Sequence, residues 1–497
     1  MFNLLKTLAI VTFSVVLFGW CTTRASHQDQ PTNPSPNVLF IAVDDLRPEL
    51  GTYGKEYIHS PNIDRLAASG VTFRRAYCNV PVCGASRASM LSGVRPTYHR
   101  FRHYYSQADV EVPNLTTLPE QFKNHGYRTV SIGKIFHTPA DSEEESWSDT
   151  PFRLDHHLTE DSTWSGAGWQ NYLSDENQAV AEAHGGYAWP WERIEVADTA
   201  YYDGQYARRA VEYLKEFKDT GEPFFLALGF LKPHLPFNAP QKYWNQYVRD
   251  EIDLADNPYL PKNAPEEAVF NWGELRAYYG IPNTGPVSDS VARTLLHGYY
   301  ACVSYTDALV GEVLDALEEQ GLADNTVIVL FGDHGWNLGE HSFWCKHVNF
   351  KTALQTTLML SGPGISQGEA SGVVELVDLY PTLLEVCALP NPSHLLEGSS
   401  LVPMLNDPGA SVKDFALGKY QDGVTYLDDR YFYTEWHDAQ KNTVARMLYD
   451  HQTDPHENVN IADRPANAAL VKELSQKLTR SLSEDYWSPT AFRYPSH

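Results

Sequence analysis

Residues 37–45 read NVLFIAVDD, and residues 326–335 read TVIVLFGDHG. Each is an unbroken apolar run of strand length that ends on acidic residues. Continuous rather than alternating apolar character predicts strands buried on both faces, as in a parallel sheet covered by helices. A third such run is FFLALGF at 224–230. Helical patterns fall between them, at 61–69, 117–125, 201–217 and 290–320. Strands alternating with helices predict an α/β fold, a large and mostly parallel sheet sandwiched by helices. Ligands of such sheets bind beyond the carboxyl ends of the strands. Asp44, Asp45, Asp333 and His334 all fall there.

Outward from these runs the pattern changes. Residues 139–200 and 236–290 are rich in Trp, Tyr, Pro, Gly and acid, and read as long surface insertions. A helix is expected over 372–387, kinked or broken at Pro381. After Pro403 come short alternating strands at 414–421, 423–427, 429–436 and 446–449, then an amphipathic helix over 466–482. The expected organisation is an α/β domain over 37–410 and a smaller α+β unit over 411–497.

The chain has 497 residues, with 38 Lys+Arg against 63 Asp+Glu and a formal net charge of −25. That acidity argues against nucleic acid as a partner, since nonspecific binding there is driven by basic surface. An anionic substrate would need a locally positive site. Residues 1–26 read as an export signal, with Lys6 before a short apolar core from Leu8 to Leu17. A lipoprotein reading would use Cys21, but Trp20 is a poor residue to precede it. Residues 27–36 form a polar, Pro-rich linker. No other stretch approaches a membrane span, so the expected product is exported without one. Five cysteines remain after processing, an odd number in a compartment that permits disulfides.

Carboxylates in oxygen-rich surroundings suit a hard divalent cation. Asp44-Asp45 alone would equally serve as a helix cap; the acid pair after a second buried strand favours the metal. Pro81 to Gly93 (PVCGASRASMLSG) places Cys83 at the start of a helical run, where free N–H groups favour an anion. A structural buried Cys is the alternative for that segment. Arg95, His99, Arg100, Arg102 and His103 make a basic run, either a solvated loop or a subsite for further acidic groups of a polymer.

These segments, together with SIGKIFH (131–137), FFLALGFLKPHLPF (224–237), YYACVSYTDALVGEVLDAL (299–317) and the continuation to Phe350, resemble the formylglycine-dependent sulfatases of the alkaline-phosphatase superfamily. Within that family the likeness is greatest to the iduronate-2-sulfatase branch. The resemblance implies that Cys83 is oxidised to formylglycine, whose hydrated aldehyde attacks sulfur. It implies one Ca²⁺ held by Asp44, Asp45, Asp333 and His334 with the nucleophile at position 83. Arg87 and Lys134 would hold the nucleophile and the metal cluster, and His137 would be the base that frees sulfate. His234 and Lys346 would contact the sulfate and the leaving oxygen. His347, Arg95 and Arg100 would contact the sugar.

Two departures stand out. Ala85 occupies a position where the commonest signature has Pro, which bears on the maturation enzyme that accepts the chain, formylglycine-generating or anaerobic. His347 stands where the animal iduronate enzymes have Tyr. The expected activity is hydrolysis of sulfate esters on sulfated polysaccharides or oligosaccharides, by an exo-acting 2-O-sulfatase on uronic acid or by a sulfatase of another sugar, such as an algal one. A phosphodiesterase or phosphonate monoester hydrolase is the alternative within the superfamily. A catalytically dead binding protein is the alternative outside enzymology.

Overall fold

The computed structural model describes residues 36–138, 141–154, 157–158, 164–165 and 168–488. The expected leader over 1–26 lies outside the described residues. The large sheet contains β1 (Asn37–Val43), β2 (Gly70–Tyr77), β3 (Arg128–Gly133), β4 (Phe224–Phe230), β5 (Thr326–Gly332), β6 (Gln355–Thr356), β7 (Leu358–Ser361) and β8 (Gly368–Glu375). Its path is β6–β2–β7–β5–β1–β4–β3, with β8 also pairing with β2. The central strands β3, β4, β1 and β5 are parallel, whereas β7 runs antiparallel to both β5 and β2. β1 is buried along its whole length, which is what its continuous apolar run requires. Each buried Leu, Ile, Val or Phe there contributes about 1.5–3 kcal/mol of transfer free energy.

Helices α1 (Pro61–Ala68), α2 (Cys83–Ser92), α3 (Leu118–Asn124), α4 (Tyr202–Thr220) and α5 (Asp289–Glu319) cover the sheet. They match the expected positions within a few residues. Thr117 caps α3 through a reciprocal capping box with Glu120. Ser288 caps α5 by accepting from Val291 N.

The segment 372–387 departs from expectation. Its first part belongs to β8, and the helix α6 spans only Leu379–Val386. Pro381 therefore falls in the first turn, where its missing N–H has no helical partner to lose, and it produces no break. β2 and β3 were not anticipated either. GVTFRRAY carries Arg74 and Arg75 mid-strand, which interrupts the apolar signal.

The smaller sheet is an antiparallel meander of β9 (Ala416–Tyr420), β10 (Gly423–Leu427), β11 (Tyr431–His437) and β12 (Thr443–Asp450). Helix α7 (Ala468–Ser481) buries Leu474 and Leu478 against it, in a core with Val424, Tyr433 and Leu448. Asn79 joins the two sheets, donating from Nδ2 to Leu417 O (3.0 Å) and accepting from Lys419 N (2.8 Å). The two insertions also meet. Trp191–Ile194 pairs in parallel with Phe237–Pro240.

Candidate active site

Strand register brings the site together. Val43 stands opposite Gly332 and Phe230, and Gly133 stands opposite Gly229. The residues that follow each strand thus emerge at one edge: Asp44 and Asp45, Asp333 and His334, Lys134 to His137, and Leu231 to His234. The close approach of β4 to the turn after β3 demands glycine at 229, since a Cβ there would lie 2.0 Å from Lys134 O. Asp45 takes a left-handed backbone (φ 64°), and its N–H donates to Asp333 Oδ1 at 3.0 Å. Strained φ values of this kind concentrate where surrounding structure over-determines them.

Cys83 is the first residue of α2, all of whose residues are buried. Gly84 lets the chain pass: a Cβ there would meet Tyr104 O at 1.8 Å. Cys83 Sγ lies 3.2 Å from His334 Nε2. Ligand atoms of Asp44, Asp45, Cys83 and His334 all lie within 4.8 Å of one another. Burial and Asp44 push the Cys83 thiol up to about 12. Unmodified, it is a protonated thiol and a weak nucleophile.

Three cations surround this cluster. Arg87, one turn along α2, donates from Nε to Asp333 Oδ2 (2.8 Å) and from Nη2 to Asp44 Oδ1 (3.2 Å). Its remaining donors go to the Lys134 and Ile135 carbonyls. Lys134 Nζ reaches Asp44 Oδ2 at 2.5 Å. Lys346 Nζ reaches Asp45 Oδ1 at 3.1 Å. Burial raises the Asp44 carboxyl, but Lys134, His234 and Arg87 outweigh it and hold the group well below the usual range. At Asp45 burial dominates; Lys346 opposes it, neighbouring Asp44 adds to it, and the carboxyl is raised well above its usual value. Two buried carboxylates competing for charge, with a third and an imidazole beside them, are a donor set that fits a hard divalent cation. The residues can therefore hold a metal ion.

His234 sits in the turn Lys232–Pro236. Asp203 accepts from Leu231 N and Lys232 N, and Lys232 Nζ donates to the His234 and Pro236 carbonyls. His234 Nε2 lies 3.9 Å from Asp45 and 2.9 Å from Glu274. His137 packs edge-on to Tyr104, whose carbonyl abuts Gly84. Lys346 Nζ stands 4.9 Å from the Trp336 ring centroid. His347 lies between Phe270 and Tyr420, and burial and Lys346 push its imidazole down to about 3.

Arg95 and Arg100 are not brought to this cluster. Arg95 lies past the far end of α2 from Cys83, beyond the left-handed turn at Gly93. Its guanidinium bonds Glu375 (2.9 and 2.5 Å) and Glu397 O (2.6 Å). Arg100 bonds Asp485 at 3.1 Å and Arg95 O. Both guanidiniums are engaged in joining segments of the fold. The odd cysteine count resolves differently too: Cys78, Cys83, Cys302, Cys345 and Cys387 are all buried free thiols.

Glu274 was not anticipated. It lies in the 236–290 insertion, where no motif marks it. From the other insertion, Trp169 meets the His234 ring at 5.3 Å and the Tyr187 ring at 6.3 Å.

Acids, imidazole and buried cations converging at the carboxyl edge of an alkaline-phosphatase-like α/β sheet define a hydrolase of anionic esters. Comparison with known proteins narrows the class. The sulfatase family model matches residues 36–388, and a model of the N-sulphoglucosamine sulphohydrolase C-terminal region matches 339–484. The chain belongs to the sulfatase family and is a sulfuric ester hydrolase. It is 34% identical over 420 residues to iduronate 2-sulfatase of Mus musculus, covering 77% of this chain and 74% of that one. It is 32% identical over 489 residues to a sulfatase of Formosa agariphila, covering 93% and 90%. Among solved structures, a phosphonate monoester hydrolase from Silicibacter pomeroyi superposes with a TM-score of 0.70 at 22% identity, covering 90% and 94%. A 2-O GAG sulfatase superposes with a TM-score of 0.63 at 22% identity, covering 92% and 94%. These two likenesses concern the fold. No helix among the described residues is long and apolar enough to cross a membrane.

Proposed function

We propose that the chain hydrolyses sulfate esters on sulfated polysaccharides or their oligosaccharides, with a formylglycine made from Cys83 and one Ca²⁺. The observation that carries this is Cys83 at the start of α2, 3.2 Å from His334 and within reach of Asp44 and Asp45. Conversion of Cys83 supplies a hydrated aldehyde as oxygen nucleophile in place of a protonated thiol. Asp44, Asp45, Asp333 and His334 would hold the Ca²⁺, which when bound would supply Lewis-acid polarisation of the ester and of the nucleophile.

The chain's own residues do the rest. Arg87 and Lys134 keep Asp44 ionised and brace the nucleophile's end of the cluster. Lys346 and His234 face the sulfate and the leaving oxygen, where preorganised positive charge stabilises the developing anion. His137 takes the proton whose removal releases sulfate. Export through the 1–26 leader and conversion by a formylglycine-generating or anaerobic maturase belong to this reading.

For the sugar, the iduronate 2-sulfatase relatives point to a 2-O-sulfated uronate at a chain end, with Trp169, Tyr187 and Glu274 from the two insertions walling an exo site. A second reading, a sulfated sugar without a carboxylate, is favoured by Glu274 and by the uncharged His347. The test is a mass spectrum of the Cys83 peptide alongside assays of an aryl sulfate and an aryl phosphodiester. Unconverted Cys83 in active protein, or preference for the phosphodiester, overturns the proposal.

A further inference from the structure

The two groups assigned to the sulfate and leaving oxygen share one carboxylate. Glu274 lies 2.9 Å from His234 Nε2 and 3.0 Å from Lys346 Nζ. Lys346 also meets both Asp45 oxygens, at 3.1 and 3.3 Å, so its ammonium already faces two acids. Burial works against a charged Glu274, but Lys346 and His234 outweigh it and hold the carboxyl well below its usual value. A fixed negative charge therefore stands beside the pocket. Its side chain is 18% exposed, although its Oε2 atom is itself buried.

The position is braced. Glu274 belongs to the short turn Gly273–Arg276, entered through Trp272 in a left-handed conformation (φ 38°). Arg276 lies over the Trp272 ring at 3.3 Å and bonds Asn271 and Gly285 O. Leu275 anchors the turn in the core. Nearby, the buried Nδ1 of His347 has no hydrogen-bond partner among the described residues.

We propose that Glu274 is a specificity-determining residue, admitting a sulfated sugar that presents a hydroxyl or ammonium donor beside the sulfate and rejecting one that presents a carboxylate there. This rests on the second reading above, a sulfated sugar without a carboxylate, and stands against the uronate reading. A carboxylate oxygen of Glu274 accepts from a sugar hydroxyl or amine. A second carboxylate at the same distance meets like charge, and the nearest ammonium, Lys346, is already paired with Asp45 and Glu274. Selection against a ligand by an unpaired or repelled charge is the usual route to such discrimination.

The test uses full-length protein carrying Cys83→Ala, so that binding is read without turnover. Two 2-O-sulfated disaccharides, identical except for a carboxylate or a hydroxymethyl group at C6 of the sulfated ring, are titrated calorimetrically. The hydroxymethyl ligand is expected to bind at least about tenfold more tightly. Adding Glu274→Gln, which keeps the shape and removes the charge, is expected to bring the ratio to within about threefold. Adding Glu274→Asp, which keeps the charge, should preserve the order. Equal or tighter binding of the uronate, a ratio unmoved by Glu274→Gln, or binding of neither ligand overturns the inference. Sulfate release from an aryl sulfate by the unmutated chain is read separately. Its absence would sink the sulfatase mechanism while leaving a measured Glu274 preference standing.

Discussion

Arg87 Nε donates to Asp333 Oδ2 at 2.8 Å while Nη2 of the same guanidinium donates to Asp44 Oδ1 at 3.2 Å. One side chain of α2 thereby ties together the acids that follow β1 and β5. The helix that presents Cys83 also locks the carboxylates facing it, so Cys83 and those acids are aligned by one rigid element.

Cys83→Ala is expected to leave the fold intact and remove turnover, by up to the order of 10⁶-fold seen when a covalent nucleophile is deleted. Circular dichroism and an aryl sulfate assay check it. Substantial residual activity would contradict the assignment.

Chelation should abolish activity and lower the melting temperature, and Ca²⁺ or Mg²⁺ should restore both. Saturation at a hundred times Kd stabilises a protein by about 2.7 kcal/mol. Asp333→Asn should erase the melting shift produced by Ca²⁺. A shift of unchanged size in that variant places the ion elsewhere.

Lys134→Ala and Lys346→Ala should each lower kcat by roughly 10²–10³, the order for losing one preorganised electrostatic contact. Lys346→Ala should also loosen Glu274, which loses one of its two partners. An effect confined to KM would show that Lys346 only binds.

His137→Ala should differ in kind. The alcohol of the first turnover should be released in a burst while inorganic sulfate is not. Parallel loss of burst and steady state would instead make His137 a binding residue.

Arg95→Ala should destabilise the fold by about 3 kcal/mol, because it removes one of the two cations that balance the buried Glu375 and leaves Lys413 with the neutral donors Asn79 Nδ2 and Leu417 N. Burial raises Glu375, but Arg95 and Lys413 outweigh it and hold its carboxyl far below the usual value. A depressed folded-state pKa stabilises above the unfolded value near ~4.3 and is lost as pH falls through the folded one. Stability on the acid side of pH ~4.3 should therefore depend less on pH in Glu375→Gln. The kcat/KM of folded Arg95→Ala on an aryl sulfate should match the parent; a large drop would return Arg95 to the substrate.

NVLFIAV, FFLALGF and TVIVLF were legible as buried strands because burial on both faces leaves no polar position in them. The acids after them were singled out because α/β sheets bind ligands at that edge, and the structure brings them together there. Cys83, Arg87 and Lys134 were found through the motifs that carry them. β2 was hidden by Arg74 and Arg75, whose side chains reach Glu369 and Asp429 at the surface. Pro381 misled because a proline reads alike in the first turn and the middle of a helix until the helix start is known.

Local order thus determined the chemistry: apolar runs, turn residues and short motifs act over a few positions, and a strand or helix start depends on little else. Charge pairing over long separations was decided only by the tertiary structure. Arg95 and Glu375 stand 280 residues apart, and nothing near either predicts the ion pair that engages the Arg95 guanidinium. Glu274 and Lys346 are 72 apart, and their meeting depends on how the 236–290 insertion folds back over the sheet edge. The catalytic edge follows from strand register, which sequence periodicity encodes. Sugar selection follows from which loop residues converge over it, which only packing determines.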